Sequence, residues 1–582
     1  MEPIWKSRLA ESPVEETPPA LAKGPGSALP PLILRLLQGR GVDNVEQLQQ
    51  LLYPRLADLK DPFLLKNMDK AIDRLVEAFE RREKICIYAD FDLDGTSGLA
   101  LLWTGLRDLG FAEVLRYQPK RLSEGYGFHA AAVEDLHRQG VKLIVTVDVG
   151  ITSLAACEKA RELGLDVVLT DHHLPGEVLP PAVAVVNPNQ PGDDSGLGYL
   201  CGAGVGFYLL RALKKTLHDR QSGAGELDLK SILDFFTIAT LTDMVPLRED
   251  NRVLVKHGLV VLAETRRPGL RALLNELELS GRPLTSQDVA IRFAPKLNAL
   301  SRMEAGVLPI DIFLCDSDSE ARRLIHHVME SNSTRVQLQS DAEQKALRML
   351  QGWPHEDFVF VASESFHRGV VGLIATKLAQ NLNRPAFVGS LDEQEGVIVG
   401  SARLPNGSDA CLVDAMGSAA DVLTRFGGHS AAAGFELHRP RVGEFVARLS
   451  AYFRDMKLKP RPLEILYDLD VNLGEIGPHV MKWHDFVGPF GTGFQTPLFR
   501  LSRVKVLSQR ELRGGHIKLK ISDPEGSASW EALLFSPTER QKHALDGDAE
   551  SFDFLGELQW NYFAGNRSMQ ILIRDLKVNP WQ

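Results

Sequence analysis

Four short apolar runs constrain this chain most: "ICIYAD" (85–90), "LIVTVDVG" (143–150), "DVVLTDHH" (166–173) and "AVAVVNPN" (182–189). Each is bounded by a polar or Gly-containing turn, and helix-like segments such as "LAACEKARELG" (154–164) separate the first three. Just upstream, Met68, Ala71, Ile72, Leu75, Val76 and Phe79 recur at helical spacing, with charged residues on the other face. That pattern predicts an amphipathic helix. Near-continuous apolar strands alternating with helices predict a parallel sheet covered on both faces. In such sheets functional groups collect just beyond the carboxyl ends of the strands. Asp90 to Asp94, Asp148, and Asp171 to His173 all fall at such positions.

The remaining chain, 582 residues in all, is too long for one core. Residues 11–30, rich in Pro, Gly, Ala and Glu, read as a loosely held tail within an N-terminal segment 1–67. The sheet domain occupies 68–245 and a helical connector 246–285. A second α/β unit, 286–457, has strands at "FVFVAS" (358–363), "AFVG" (386–389) and "GVIVGSAR" (396–403), with a helix after Arg368. From 458 to 582, short alternating runs such as "HIKLKIS" (516–522) and "WEALLF" (530–535) predict a small antiparallel barrel, with an oligonucleotide-binding type among the candidates.

No apolar run approaches the roughly 18 residues of a membrane span, and the N-terminus lacks the order of a secretory signal. The five cysteines stand singly, which argues for a reducing compartment, the cytoplasm, and against a zinc ribbon. The net charge of −10 supplies no general attraction to nucleic acid, so such a partner would need a local basic groove.

Asp90, Asp92 and Asp94 alternate in "YADFDLDGTSG", and in an extended segment they would point the same way, so that a slight bend at Gly95 would let two of them share an ion. An EF-hand loop is excluded, because its Glu six residues after Gly95 would be residue 101, which is Leu. "TDHH" (170–173) adds an Asp and two histidines, and imidazole ligation favours manganese over magnesium. Asp148 in "TVDVG" and Asp243 in "ATLTDMVPL" are carboxylates inside apolar runs, where each needs a cation or dense hydrogen bonding. Together these residues could hold two divalent ions suited to phosphoester hydrolysis.

"DFDLDG", "TVDVG", "TDHH" and "TLTDMVP", in that order, resemble the four motifs of the DHH phosphoesterase superfamily. "RLSEGYGFH" (121–129), "CGAGVGF" (201–207), "FAPKLNALSRM" (293–303), "HRGVVGLIATKLA" (367–379), "GSARL" (400–404), "FGGHSAAAG" (426–434) and "PFGTGFQTP" (489–497) resemble its RecJ family of single-strand-specific exonucleases. The resemblance implies a DHH domain, a DHHA1-type domain and an OB-like barrel for nucleic-acid binding. It implies 5′→3′ removal of mononucleotides from single-stranded DNA with Mn2+ or Mg2+, in repair and recombination. Asp92, Asp94, Asp148, His172 and Asp243 would ligate metal, with Asp90, His173 and His429 in catalytic or supporting roles. Ser401, Arg403 and Arg302 would hold the 5′-phosphate, with Arg121 on the backbone and Tyr126 stacked on a base. A helicase and a single-strand-binding protein are the implied partners of what one chain suffices to build.

Leu404 stands where the family commonly has Ser, Lys296 and Ser301 where Arg and Gly are usual, and Phe494 where Asn is usual. None is an expected metal ligand, so these departures bear on affinity and processivity. Apart from the resemblance, "GGHSAAAG" also reads as a tight turn opening a helix. Two other functions stay open: a phosphodiesterase acting on short oligonucleotides or cyclic dinucleotides, which would lack the barrel, and an inactive scaffold, which would have degenerate acidic motifs.

Overall fold

The computed structural model describes residues 2–8, 21, 23–122, 124–303, 306–354, 357–456, 463–547, 549–563 and 565–579. The chain forms two compact units, one of Lys60–Pro246 with His257–Arg461, the other of Met1–Leu59, Leu247–Lys256 and Pro462–Gln582.

The first unit opens with the helix Met68–Glu80, which buries Met68, Ala71, Ile72, Leu75 and Val76. A five-stranded sheet follows in the order Glu113–Tyr117, Lys84–Ala89, Leu143–Val147, Asp166–Thr170, Ala184–Val186, and every pairing is parallel. Four of these strands lie at the apolar runs. The fifth, Glu113–Tyr117, is an edge strand with no fully buried residue, which is why its sequence carries so little signal. The chain leaves Lys84–Ala89 for Glu113–Tyr117 on one side and leaves Leu143–Val147 for Asp166–Thr170 on the other, so the crevice between the ends of these two strands is a topological switch point. Asp90 and Asp148 are the residues that follow these two strands.

The aspartate stretch is not extended. The strand stops at Ala89, and Asp92 caps the helix Leu93–Asp108 by accepting from the N–H groups of Asp94 and Gly95 at 2.9 and 3.0 Å. A local cap outcompetes strand continuation here. Gly95 is required, because a Cβ there would lie 2.8 Å from the Asp90 backbone nitrogen.

The helical stretch expected over 246–285 extends to Met349, ending in the 32-residue helix Asp318–Met349. The second sheet has the order Arg425–Gly428, Ala432–His438, Val397–Arg403, Ala386–Asp392, Val359–Ser363, and only the last pair is parallel. "GGHSAAAG" is therefore a hairpin and does not open a helix. Gly428 supplies the turn at φ 146°, where a Cβ would stand 2.5 Å from Ala433 Cα. Phe358, Phe360, Phe387, Phe435, Phe445 and Phe453 fill one face of this sheet, and the helix Val371–Leu382 covers the other.

In the second unit Phe499–Leu512, His516–Ser522, Ser529–Leu534, Asn566–Val578 and Phe552–Phe563 pair in sequence, and the last pairs back with the first. This closed five-stranded barrel has the oligonucleotide-binding strand order. The described residues before Lys60 belong to this unit. Ile4–Ser7 pairs in parallel with Glu464–Tyr467, and Leu21 and Leu29 are buried in the barrel unit's core. Of the expected tail, residues 11–20 and 22 lie outside the described residues. Among the described residues no helix is long and apolar enough to cross a membrane.

Candidate metal centre and phosphate-binding site

At the switch point, Asp94 is buried with both carboxylate oxygens on the start of another helix, Gly202–Asp219. Its Oδ2 accepts from Gly202 N at 2.7 Å and its Oδ1 from Ala203 N at 2.9 Å. Asp148 is buried beside it at φ 63°. His172 aims Nε2 at three carboxylates: Asp148 Oδ1 at 3.2 Å, Asp94 Oδ2 at 3.7 Å and Asp243 Oδ2 at 3.7 Å. Asp243 arrives from the end of the helix Leu233–Thr242.

Three overlapping sets bring donor atoms within 4.8 Å of one another: Asp94, His172 and Asp243; Asp90, Asp92 and Asp148; and Asp148, His172 and His173. Asp90 Oδ1, Asp148 Oδ1, His172 Nε2 and Asp243 Oδ2 are buried without a hydrogen-bond partner. Buried polar atoms left unpaired at one point call for a ligand. Carboxylate and imidazole donors are the set that manganese and magnesium sites draw on. Asp90, expected in a supporting role, lies in one of these sets with Asp92 and Asp148.

The electrostatics agree. Burial first, and the Asp92 charge second, push the Asp90 carboxyl up to about 8. Burial, then Asp94, raises Asp243 to about 8 and carries Asp148 well above the ordinary carboxylate range. Burial also raises Asp94 and lowers His172. Negative groups are gathered here without enough positive charge.

His173 differs from His172. Burial opposes its charge, yet its Nδ1 bond to Asp171 Oδ1 at 2.8 Å and the surrounding carboxylates outweigh this and raise it to about 9. Asp171 is fully buried and also accepts from Ile151 N and from the backbone N–H groups of both histidines. Its place in "TDHH" was legible, but its function as the group that orients and charges His173 was not. Tyr126 Oη lies 3.4 Å from His173 Nδ1, with the two rings edge to face.

Beside the acids lies a cluster of guanidinium groups. Arg121 stacks 4.8 Å from the Phe91 ring, within the field of Asp92 and Asp90. Arg302 donates to Gly369 O at 3.2 Å, and burial, then its neighbours Arg121, Arg335 and Arg403, lowers it to about 10. Burial and Arg121 lower Arg403 too. Ser401 and Arg403 share one face of their strand and flank the start of the helix Val371–Leu382, where a Cβ on Gly372 would lie 3.4 Å from Ser401 Oγ and 3.3 Å from Arg403 Nη2. Among the described residues Arg121, Arg302, Arg335 and Arg403 form no ion pair. Arg335, on the helix Asp318–Met349, was missed because nothing local distinguishes it from other surface arginines.

His429 sits exposed at the hairpin tip, and its ring has no partner among the described residues. The structure does not bring it into the acid cluster. Leu404, just past the strand's end, is buried with Ala402 in the core of the second sheet, apart from Ser401 and Arg403, which are not in that core. Ser408 Oγ accepts from Ala410 N within its own turn. Ser301 is buried and bonds to Asn298 O, while burial and Arg335 lower Lys296.

A parallel sheet with an acid and histidine cluster at its switch point, joined to a second sheet lined with arginine, defines a DHH-type phosphoesterase. Family models match accordingly: the DHH family, N-terminal domain, over residues 84–240, the DHHA1 domain over 356–455 and the RecJ OB domain over 467–575. The chain is 32% identical over 558 residues to the single-stranded-DNA-specific exonuclease RecJ of Bacillus subtilis, covering 95% of this chain and 68% of that one. The Escherichia coli RecJ is 31% identical, with 94% of this chain and 96% of that one covered. The solved structure of Thermus thermophilus RecJ in complex with Mn2+ superposes with a TM-score of 0.79 at 28% identity, covering 100% of this chain and 80% of that one. The chain belongs to the RecJ family of single-stranded-DNA-specific exonucleases.

Proposed function

We propose that this chain removes 5′-mononucleotides from single-stranded DNA by phosphodiester hydrolysis with two divalent cations, Mn2+ or Mg2+, in DNA repair and recombination. One observation carries the reading: the unpaired buried donors of Asp90, Asp148, His172 and Asp243 converge at the switch point of the DHH-type sheet. Asp94, His172 and Asp243 would hold one cation, and Asp90, Asp92 and Asp148 the other. The ions, when bound, stabilise phosphoryl charge and acidify the attacking water. Asp171 keeps His173 protonated, with Nδ1 occupied, so that Nε2 is the donor available to a phosphoryl or leaving oxygen.

Arg121, Arg302 and Arg403, with Ser401, receive the terminal phosphate in bidentate contacts, and Arg335 adds a fourth charge missing from the sequence reading. Tyr126 offers its half-exposed ring to a base, a sequence-tolerant contact. His429 remains in reserve on its hairpin as a donor for the bound strand. The barrel, with the oligonucleotide-binding strand order, tracks the rest of the DNA. The five unpaired cysteines support a cytoplasmic setting, in which a single chain works on strands delivered by a helicase or single-strand-binding protein.

The test uses purified protein with Mn2+ and four substrates: a long 5′-phosphorylated single strand, its duplex, a dinucleotide and a cyclic dinucleotide. Mononucleotides from the single strand, little attack on the duplex and loss of activity in Asp148→Ala are expected. Full activity in Asp148→Ala overturns the metal assignment. Preference for the dinucleotide over the long strand overturns the exonuclease reading.

A further inference from the structure

The helix Leu233–Thr242 is capped by Asp243, and the next residue, Met244, takes φ 60° while leaving 69% of its surface exposed. That position after a helix cap is where the left-handed conformation normally recruits glycine or asparagine. Met is a strained choice there. Strained residues of this kind cluster at functional sites. The residue after His173, Leu174, is likewise a large apolar group, 72% exposed. Met244 directly follows Asp243 and Leu174 directly follows His173, so each exposed apolar group is next in the chain to a member of the charged cluster, in which His172 Nε2 and Asp243 Oδ2 lie 3.7 Å apart. Folding gives no reason for either, because neither packs into a core.

We propose that Met244 is a substrate-positioning residue that packs against a nucleobase flanking the scissile phosphate, with Leu174 completing an apolar lip. The inference rests on the exonuclease reading above. A phosphate held at the Asp243 cluster carries its bases one sugar away, at the distance of the rim rather than the floor. A nuclease indifferent to sequence cannot read base edges by hydrogen bonds, so an apolar contact is the available means of holding any base. A flexible, polarisable thioether adapts to all four bases. The left-handed backbone fixes the direction in which that thioether is presented, which a relaxed helix end would not.

The test compares wild type, Met244→Gly and Met244→Leu on a 5′-phosphorylated oligothymidylate and on the same strand made abasic at its first two nucleotides. Met244→Gly is expected to raise KM on the normal strand by about tenfold, the scale of a lost base contact, with kcat within a factor of two. On the abasic strand the two proteins should have equal KM, and Met244→Leu should stay near wild type on both. Thermal unfolding of Met244→Gly should come at or above the wild-type temperature, since glycine relieves the left-handed strain. An unchanged KM, an equal loss on both strands, or a lower unfolding temperature overturns the proposal. A wild type that degrades neither strand overturns the exonuclease reading itself, which an active wild type beside an unaffected variant does not.

Discussion

Gly202 lies so close to Asp148 that a Cβ added to it would stand 2.6 Å from the carboxylate Oδ1 and 2.7 Å from Asp148 Cα. The same glycine donates its N–H to Asp94 at 2.7 Å, so one helix start sets the position of two candidate ligands. Gly202→Ala forces the helix and Asp148 apart. Overpacking of this kind costs about 1–3 kcal/mol, and displaced ligands weaken metal binding by about tenfold or more. Urea unfolding and the Mn2+-induced rise in unfolding temperature measure the two effects. Wild-type metal affinity in Gly202→Ala would show that this helix start does not set the site.

The positions of Asp148 and Asp171 to His173 were legible because a buried parallel strand needs an apolar run, and the first polar residue after it marks the strand end. How Asp94 is held was not legible. Its partners are the backbone N–H groups of Gly202 and Ala203, more than a hundred residues away, and backbone donors have no sequence signature. The same holds for Ile4–Ser7, whose pairing with Glu464–Tyr467 depends on a partner at the far end of the chain. The alternation of Asp90, Asp92 and Asp94 suggested an extended segment, but Asp92 is also a good helix cap, and the helix won.

Asp171 and His173 give a pH prediction. The raised pKa of about 9 means that His173 is charged below that value and loses its proton above it. Activity that needs the imidazolium is therefore full below about 9 and falls as pH rises through it. Asp171→Asn removes the main counter-charge, leaves only more distant carboxylates such as Asp94 and Asp243 against burial, and should move this alkaline limb down toward neutral pH. It should also cut kcat at pH 8 by about a hundredfold, the usual worth of a positioned proton donor. Profiles of kcat against pH test this directly, and an unmoved limb in Asp171→Asn would remove His173 from the chemistry.

Metal binding should release protons. Asp90 and Asp243, each raised to about 8, are mostly protonated at pH 7 without metal, and a protonated carboxyl is a poor ligand. Mn2+ affinity is therefore expected to tighten as pH rises from 6 and to level off above about 8. The metal-free protein follows the opposite course. With native pKa values above the unfolded ones, it binds more protons folded than unfolded, so stability falls as pH climbs from about 4 to 8. Calorimetry in two buffers of different ionisation enthalpy counts the protons, and an Mn2+ affinity flat between pH 6 and 8 would contradict the charge balance described here.

Phe494, in the turn of "PFGTGFQTP", is held between two cations. Arg40 lies 5.0 Å and Arg252 4.4 Å from its ring centroid, and Phe490 stacks at 5.7 Å. Arg252 is buried and donates to Pro489 O at 2.9 Å, to Gly488 O at 3.2 Å and to Val487 O. Burial, with Arg40 nearby, lowers its pKa to about 10. An asparagine at 494 would forfeit both cation–π contacts, so Phe494→Asn should destabilise the barrel unit by about 1–2 kcal/mol. Arg252→Met should cost more, about 2–4 kcal/mol, because three carbonyls lose a charged donor. Arg252→Lys should rescue it poorly, since an ammonium cannot reach the three acceptors and stack at once. Urea unfolding followed by tryptophan fluorescence reads the loss. The Mn2+-dependent stabilisation should be unchanged in all three variants, because none of these residues belongs to the acid cluster, and a lost metal response would tie the turn to catalysis instead.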